Sequence, residues 1–315
     1  RTAGVPVMGE IELAFQVITI PMAAVTGTNG KSTVTMLLGE MLKASGFNVF
    51  VGGNIGTPLI AYMNQPEPAD WIAAEISSFQ LDTIADFRPK VSVLLNITDD
   101  HLDRYADMDA YARSKGRIFM NQREGDTAVV NMADPRVRRE FERHCDAFAH
   151  DQPLGFVYGV EANHRIMGER ADARAWITDE EVWFDAPETG RFSVARDVIR
   201  LMGRHNLENV CAAGLAAVAA GGSREGVAAA AENFTGLAHR VQYVDTVNGI
   251  VFVDDSKATN VDAVARALDR LRREAAGNEN LLPSLVQTVK TYATLGEIMG
   301  ALKEVFGTFE EPLLV

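Results

Sequence analysis

Ala23-Ala24-Val25-Thr26-Gly27-Thr28-Asn29-Gly30-Lys31-Ser32-Thr33 is the stretch that decides the fold. The apolar run Met22 to Val25 predicts a buried strand, and the two glycines that follow allow backbone angles that a side chain would forbid. From Lys31 the apolar residues recur at helical spacing, which predicts a helix over 31–44. A strand, a glycine loop and a helix that opens with Gly-Lys-Ser predict a phosphate-binding loop. In such a loop the helix N-terminus faces the anion, Lys31 reaches the terminal phosphates and Ser32 can hold Mg²⁺.

The spacing of this loop is unusual. An ordinary glycine-rich turn is the alternative interpretation, but glycines alone would not require Lys followed by Ser. The general pattern has four residues between its glycines, whereas only Thr28 and Asn29 lie between them here. Thr-Gly-Thr-Asn-Gly-Lys-Ser-Thr resembles the nucleotide loop of the Mur ligase family, ATP-dependent amide-forming enzymes of peptidoglycan synthesis. The residues that this resemblance assigns to ATP binding are Gly27, Thr28, Asn29, Gly30, Lys31, Ser32 and Thr33.

Composition limits the classes of partner. The chain has 315 residues, is 47% hydrophobic and carries a net charge of -13, which argues against a nucleic-acid partner. Cys145 and Cys211 lack metal-ligand spacing and are expected to be free thiols in a reducing compartment. Apolar runs fall short of the roughly 20 residues that span a bilayer, and the N-terminus does not resemble a signal peptide. These features predict a soluble, cytoplasmic protein without a membrane partner, and we expect a monomer.

The order of elements predicts an α/β fold. Over 21–135 the strand candidates are 21–25, 47–51, 71–76, 91–97 and 127–131, and the helix candidates are 31–44, 56–63, 78–85 and 109–122. This alternation predicts a doubly wound, mostly parallel sheet, whose ligands gather at the carboxyl ends of its strands. Further along, the predicted elements are a β-rich stretch at 154–200 with a hairpin at 175–184, helices within 205–232, strand–turn–strand–helix over 240–270, and a helix at 294–306.

Three segments are expected. Residues 1–20 resemble the family's linker from an N-terminal UDP-binding domain, so we expect that domain to be missing from this chain. Residues 21–236 form the central ATPase domain. Residues 237–315 form a partial Rossmann-like C-terminal domain, because the resemblance covers residues 4 to about 268 and then fails. The remaining 269–315 are either divergent or the product of a truncated or rearranged gene.

Glu75 is a candidate metal ligand. It ends the apolar strand that starts at Trp71, in the same sheet as the phosphate loop. A carboxylate there is well placed to bind Mg²⁺, although a solvated turn residue is the alternative. The following Ser-Ser-Phe-Gln-Leu also resembles the Mur ligases. His101, after the strand over 91–97, is a second candidate ligand, with a surface or capping role as the alternative. The family usually has Pro where Asp99 stands, which changes the stiffness of the loop and adds a negative charge.

Lys115 lies on a helix that we expect Asp109 to cap. From physics alone a solvated helix charge is the favoured interpretation. The segment resembles the family's lysine-bearing helix, which implies that the lysine is carbamylated by CO₂ and becomes a carboxylate-like metal ligand. Carbamylation requires a neutral amine first, hence a pKa lowered by burial.

Asn206 and Asn209 are three residues apart and share a helix face, where their amides can bond parts of ATP. Helix capping is the alternative for Asn206. The resemblance adds Arg240 and Asp255 to the nucleotide contacts and places Lys257 near the phosphates. It further implies substrate contacts at Asn54, Ser77, Ser78 and Thr259.

The resemblance implies a ligase that adds D-glutamate to UDP-N-acetylmuramoyl-L-alanine (UDP-MurNAc-L-Ala), because Ser-Lys-Ala-Thr-Asn at 256–260 is typical of the D-glutamate-adding branch. ATP and Mg²⁺ would serve the reaction, which passes through an acyl phosphate. Two alternatives stay open: another ligase of the superfamily, such as a folylpolyglutamate synthase, or an ATP-binding remnant without catalysis.

Overall fold

A computed structural model describes residues 8–98, 104–147, 153–159, 171–237, 242–247, 250–254, 261–277, 280–290, 293 and 295–307. The chain divides into two compact units, Arg1–Thr235 and Gly236–Val315. Within these described ranges, no helix combines the length and the apolar character needed to cross a membrane.

The first unit is built on one nine-stranded sheet. Its strands are β1 (Met22–Thr26), β2 (Val49–Gly53), β3 (Trp71–Glu75), β4 (Val91–Leu94), β5 (Thr127–Asn131), β6 (Leu154–Tyr158), β7 (Ala173–Ile177), β8 (Glu181–Ala186) and β9 (Gly190–Ala195). Their spatial order is β2-β3-β1-β4-β5-β6-β7-β8-β9. Neighbours from β2 to β7 are parallel, and the last two pairs are antiparallel. The prediction of an α/β, doubly wound and mostly parallel sheet is therefore confirmed.

Helices cover both faces of this sheet. They are α1 (Glu10–Val17), α2 (Lys31–Ala44), α3 (Ser78–Leu81), α4 (Met108–Gly116), α5 (Pro135–Ala147), α6 (Arg204–Ala219) and α7 (Arg224–Asn233), with 3₁₀ turns at Leu59–Asn64 and Arg117–Phe119. On one face, which we call the α2 face, Ala23 and Val25 join a core with α2, α6 and α7. On the other, the α4 face, Met22 and Ala24 join a core with α1, α4 and α5. Because strand side chains alternate between faces and both faces are covered, β1 is apolar from Met22 to Val25, and all five of its residues, including the terminal Thr26, are buried.

Most predicted elements are confirmed, and several differ in extent. The helix over 31–44 is present with those bounds. The segment 56–63 forms only the 3₁₀ turn, because Gly56 has a positive φ and Pro58 precedes the turn. The helix predicted over 78–85 ends at Leu81, and α5 was not predicted, whereas β6 to β9 lie within the β-rich stretch predicted at 154–200. Asp107, rather than the predicted Asp109, caps α4: its side chain accepts a 2.7 Å hydrogen bond from the Ala110 N–H.

The second unit contains a hairpin and three helices among its described residues. Strands β10 (Gln242–Val247) and β11 (Ile250–Asp254) pair antiparallel. The helices are α8 (Val261–Ala275), α9 (Leu282–Lys290) and α10 (Leu295–Phe306). Leu268, Leu271, Ala293, Ile298 and Ala301 form its small core. The predicted helix at 294–306 is confirmed as α10, whereas α9 was not predicted.

Glu12 explains why α3 is short. This buried carboxylate on α1 accepts hydrogen bonds from the backbone N–H groups of Ala85, Asp86 and Phe87 at 2.9, 2.9 and 3.0 Å. These N–H groups would otherwise be available to continue a helix. The chain therefore turns toward β4 instead, and α1 is fixed against the body of the first unit.

Replacing Glu12 by Gln should destabilise the first unit by about 3 kcal/mol. The Gln side chain is uncharged, and its NH₂ group, unlike the carboxylate oxygen that it replaces, cannot accept a hydrogen bond from a backbone N–H. Urea unfolding measures the loss. Glu40→Gln is the matched control, since Glu40 is a partly exposed helical carboxylate that pairs with Lys43 in an i,i+3 contact. Equal stability of the Glu12 variant and the parent would contradict this account of the α1 attachment.

Candidate functional site

Two glycines shape the loop between β1 and α2. Gly30 precedes α2 in the left-handed region, with φ of +85°, and a Cβ there would lie 2.5 Å from Asn209 Oδ1. Gly27 has φ of +152°, and a Cβ there would lie 2.9 Å from Leu95 Cβ. Both positions therefore need glycine, and Gly30, as the N-cap of α2, provides no side-chain cap for the first N–H groups of the helix.

Asn96 fastens this loop to the end of β4. Its Oδ1 accepts from the Asn29 N–H at 2.8 Å, and its Nδ2 donates to the Asn29 carbonyl at 3.0 Å. Its own carbonyl accepts from the Thr28 N–H at 2.9 Å. We call this set of bonds the Asn96 clamp. Because the side-chain amide bonds both backbone groups of one residue, the loop is held in a single position.

Thr28 and Asn29 extend the attachment. The Thr98 N–H donates to Thr28 Oγ1 at 3.1 Å, and Asn29 Nδ2 donates to Thr98 Oγ1 at 3.2 Å. Tyr111 on α4 shares a 3.3 Å hydrogen bond with Thr28 Oγ1. The side chains of Thr28 and Asn29, the two residues that make the loop spacing unusual, therefore hydrogen-bond to other parts of the first unit. These bonds attach the short loop to the segment after β4 and to α4.

Lys31 and Lys115 converge on one backbone oxygen. The carbonyl of Gly27 accepts from Lys31 Nζ at 3.0 Å and from Lys115 Nζ at 2.7 Å. Lys31 Nζ also donates to the Thr28 carbonyl at 2.8 Å. Lys115 is only 2% exposed, and its amine lies 4.7 Å from the centre of the Tyr111 ring. The interpretation of Lys115 as a solvated helix charge is therefore wrong: the side chain is buried against the loop.

Glu75 lies on the strand beside β1 and is 3% exposed. One carboxylate oxygen, Oε1, accepts from Asn54 Nδ2 at 2.8 Å. The other, Oε2, is buried and has no hydrogen-bond partner among the residues that the structure describes. A buried carboxylate oxygen without a donor is costly unless a cation completes it. This oxygen, on the strand next to the one that leads into the buried Ser32 of α2, fits a Mg²⁺ ligand.

The predicted amide pair lies against the loop. Asn209 Nδ2 donates to Asn206 Oδ1 at 2.9 Å, and Asn206 Nδ2 donates to the Met202 carbonyl at 2.8 Å. Both are buried at the start of α6, and Asn209 Oδ1 borders Gly30. The helix thus brings one amide to the phosphate loop and the other to the chain before α6.

The predicted serines have structural contacts. Ser77 caps α3, and its Oγ accepts from the Gln80 N–H while the Gln80 side chain bonds back to the Ser77 N–H. Ser78 is buried, and its carbonyl accepts from Ser114 Oγ on α4 at 3.1 Å. Thr33 lies half-buried in the first turn of α2.

Five predicted site residues lie outside the described ranges: His101, Arg240, Asp255, Lys257 and Thr259. Within the part of the chain that is described, no group of three or more His, Cys, Asp or Glu side chains forms a ready metal cluster. The sequence analysis gave no role to Asn96, Tyr111 or Thr26. Asn96, the first polar residue after an apolar strand, was the available signal for the clamp.

Comparison with known proteins fixes the family. The profile of the Mur ligase middle domain matches residues 25–217, more than half of the chain and the whole of the loop, Glu75 and Lys115 site. The chain belongs to the Mur ligase family. A second profile, methylmalonyl-CoA mutase, matches residues 250–308 in the second unit.

Curated relatives share one name, UDP-N-acetylmuramoylalanine–D-glutamate ligase. That of Desulfosudis oleivorans is 50% identical over 267 residues, which are 84% of this Mur ligase chain and 55% of the relative. That of Desulfatibacillum aliphaticivorans is 46% identical over 271 residues, 85% of this chain and 57% of the relative. That of Geobacter metallireducens is 40% identical over 321 aligned residues, 99% of this chain and 68% of the relative. The chain spans little more than half the length of the first two.

Solved structures agree on the fold. E. coli FolC in complex with DHPP and ADP superposes with a TM-score of 0.63 at 17% identity, covering 95% of this chain and 84% of that one. A crystal structure of MurF from Acinetobacter baumannii gives a TM-score of 0.61 at 22% identity, covering 83% of this chain and 56% of that one.

Asn96→Ala should loosen the loop and weaken ATP binding by about tenfold, because the Asn29 N–H and carbonyl lose their partners. Calorimetric titration with Mg·ATP measures the effect. Asn121→Ala is the matched control. Asn121 Nδ2 also joins separate segments by donating to the Ala85 and Phe87 carbonyls, but these bonds do not involve the loop between β1 and α2. An Asn96 variant that is destabilised like the control yet keeps full ATP affinity would contradict the role of the clamp.

Proposed function

We propose that the first unit binds Mg·ATP on the loop between β1 and α2. The observation that carries this proposal is the combination of a clamped glycine loop, a lysine at its helix junction and a buried, unpartnered carboxylate oxygen on Glu75. The phosphates accept from the N-terminal N–H groups of α2. Lys31 exchanges its two carbonyl contacts for the terminal phosphate and spreads the negative charge of the transferring group.

The metal ligands in this proposal are Ser32, Glu75, His101 and Lys115. Mg²⁺, when bound, would neutralise charge on the phosphate oxygens during transfer. Asn54 positions Glu75 through its 2.8 Å hydrogen bond, so that Oε2 is left for the metal. A second-sphere amide of this kind fixes the orientation of a carboxylate ligand.

Lys115 would be carbamylated in the working protein. Its buried position against the loop supports this proposal, because it places the amine beside Lys31 and the Gly27 carbonyl, next to the proposed metal site. An ammonium there would repel Mg²⁺, whereas a carbamate would attract it.

For the complete protein we propose the reaction after which its curated relatives are named, the joining of D-glutamate to UDP-MurNAc-L-Ala. The carboxylate of the acceptor attacks the γ-phosphorus of ATP, and ADP leaves. The D-glutamate amine then attacks the acyl phosphate, and inorganic phosphate leaves. Each step develops charge on oxygen, which the cations around the loop stabilise.

The remaining roles follow the same assignment. Asn206, Asn209, Arg240 and Asp255 would bind the nucleotide away from the γ-phosphate. The substrate contacts would be Asn54, Ser77, Ser78 and Thr259, and Lys257 would be a catalytic residue near the phosphates. We assign residues 1–20 to a linker, 21–236 to the ATPase domain and 237–315 to a partial C-terminal domain, in a monomer that acts in the cytoplasm.

Lys31→Ala should weaken Mg·ATP binding by about 10- to 100-fold, since it removes the cation at the loop junction. Calorimetry on folded protein measures the dissociation constant. Lys43→Ala is the matched control, because Lys43 lies on the same helix but in its exposed last turn. Absence of Mg·ATP binding by the parent, or equal affinities of the two variants, would contradict the proposed nucleotide site.

Phosphate release from ATP tests the proposed reaction, measured on a form of the protein that spans the full length of the curated relatives. We expect release only when UDP-MurNAc-L-Ala and D-glutamate are both present, because the amine must capture the acyl phosphate. L-Glutamate serves as the control amino acid. Turnover with a folate acceptor in place of UDP-MurNAc-L-Ala would instead assign the protein to another ligase activity.

A further inference from the structure

Thr26 ends β1 with an unused hydroxyl. The residue is completely buried, and Oγ1 has no hydrogen-bond partner within the ranges that the structure describes. Its alternation with Met22 and Ala24 places the side chain on the α4 face of the sheet. On that face it lies near apolar side chains, namely Leu94, its partner in β4, and Ile76, the residue directly after β3. A buried hydroxyl in such surroundings is destabilising unless a partner arrives in another state of the protein.

Lys115 brings a reactive group to this place. Helix α4 packs on the same face, with Tyr111 and Ala112 in its core. The Lys115 amine lies 2.7 Å from the carbonyl oxygen of Gly27, the residue directly after Thr26. Consecutive Cα atoms are about 3.8 Å apart, so a group added to this amine forms beside the end of β1.

Other hydroxyls around α4 are already committed. Ser114 Oγ bonds Asp82 Oδ1 at 2.6 Å and the Ser78 carbonyl at 3.1 Å. Thr28 Oγ1 accepts from the Thr98 N–H and shares a hydrogen bond with Tyr111. Thr26 is therefore the buried hydroxyl on this face whose donor is left for a further acceptor, as far as the described residues extend.

We propose that Thr26 is a positioning residue that donates its hydroxyl hydrogen to a carbamate on Lys115. The inference rests on the proposed function, which makes Lys115 the modified residue. The lone pair of the neutral amine forms a bond to the carbon of CO₂, one C=O electron pair moves to oxygen, and the nitrogen gives one proton to water. One carbamate oxygen accepts from Thr26, and the remaining N–H continues to donate to the Gly27 carbonyl.

This arrangement gives a hydrogen-bond partner to the Thr26 hydroxyl, which has none among the described residues of the unmodified protein. The Thr26 hydroxyl gains a charged acceptor, which is a stronger partner than a neutral one. The carbamate is held at both ends, by Gly27 through its nitrogen and by Thr26 through one oxygen. Its second oxygen is left for a metal ion in this proposal.

Carbamate occupancy measured on the full chain tests the proposal. The protein is equilibrated with ¹³C-bicarbonate at mildly basic pH, and the carbamate is quantified by ¹³C NMR, with Lys115→Ala defining the background. Thr26→Val should raise the bicarbonate concentration for half-occupancy by about tenfold, the effect of losing one hydrogen bond to a charged group. Thr26→Ser should restore occupancy, because it keeps the hydroxyl. Thr127→Val, at a buried threonine that begins β5, should behave as the parent.

Thermal unfolding supplies a second readout. Without bicarbonate, Thr26→Val should melt at or above the temperature of the parent, because valine removes an unsatisfied buried hydroxyl at nearly constant shape. With bicarbonate, the parent should gain more stability than the variant, since the modification stabilises only the folded state.

Two outcomes would overturn the inference. Equal carbamate occupancy in the parent and in Thr26→Val would remove Thr26 from this role while leaving the modification in place. No carbamate signal from the parent at saturating bicarbonate would refute both the modification and the role of Thr26. Mg·ATP binding, measured on the same samples, separates either result from a failure of the nucleotide site.

Discussion

The hydrogen bonds between the Asn96 side chain and the backbone of Asn29 hold the site together. They join the loop after β1 to the end of β4, so the N–H groups at the start of α2, which we propose bind phosphate, occupy fixed positions before a ligand arrives, as do Lys31 and Gly27. Preorganised donors of this kind cost no rearrangement when charge develops. The unusual spacing of the loop follows from the same constraint. Asn29 hydrogen-bonds to Thr98 after β4, and Thr28 hydrogen-bonds to Tyr111 on α4, so their polar groups do not serve a longer turn.

The sequence alone predicts the structural features that a single local rule determines. The buried β1, the helix from Lys31 and the two essential glycines follow from apolar runs, helical spacing and positive φ. Other features depend on contacts between distant segments. Glu12 bonds the backbone after α3 at Ala85, 73 residues further along the chain, and Lys115 is buried because α4 packs at the end of β1. No local pattern contains such information, which is why Lys115 was assigned to solvent on physical grounds alone.

The second unit is matched by a different family profile from the first unit. The Mur ligase profile ends at residue 217, and the methylmalonyl-CoA mutase profile covers 250–308. The alignment with the Geobacter metallireducens relative extends over 99% of this chain, and the origin of 269–315, as a divergent segment or the product of a truncated or rearranged gene, stays a prediction. The helices of the second unit expose several large apolar side chains, including Leu282, Leu295 and Phe306. The nucleotide and metal groups discussed above that the structure describes all belong to the first unit.

A crystal structure of the chain with Mn²⁺ and a non-hydrolysable ATP analogue tests the central claim most directly. The account predicts an anomalous peak within bonding distance, about 2.2 Å, of Glu75 Oε2, with the terminal phosphate bonded to Lys31 and to the first N–H groups of α2. The nucleotide bound elsewhere, or the loop occupied while Glu75 remains without a metal, would contradict it.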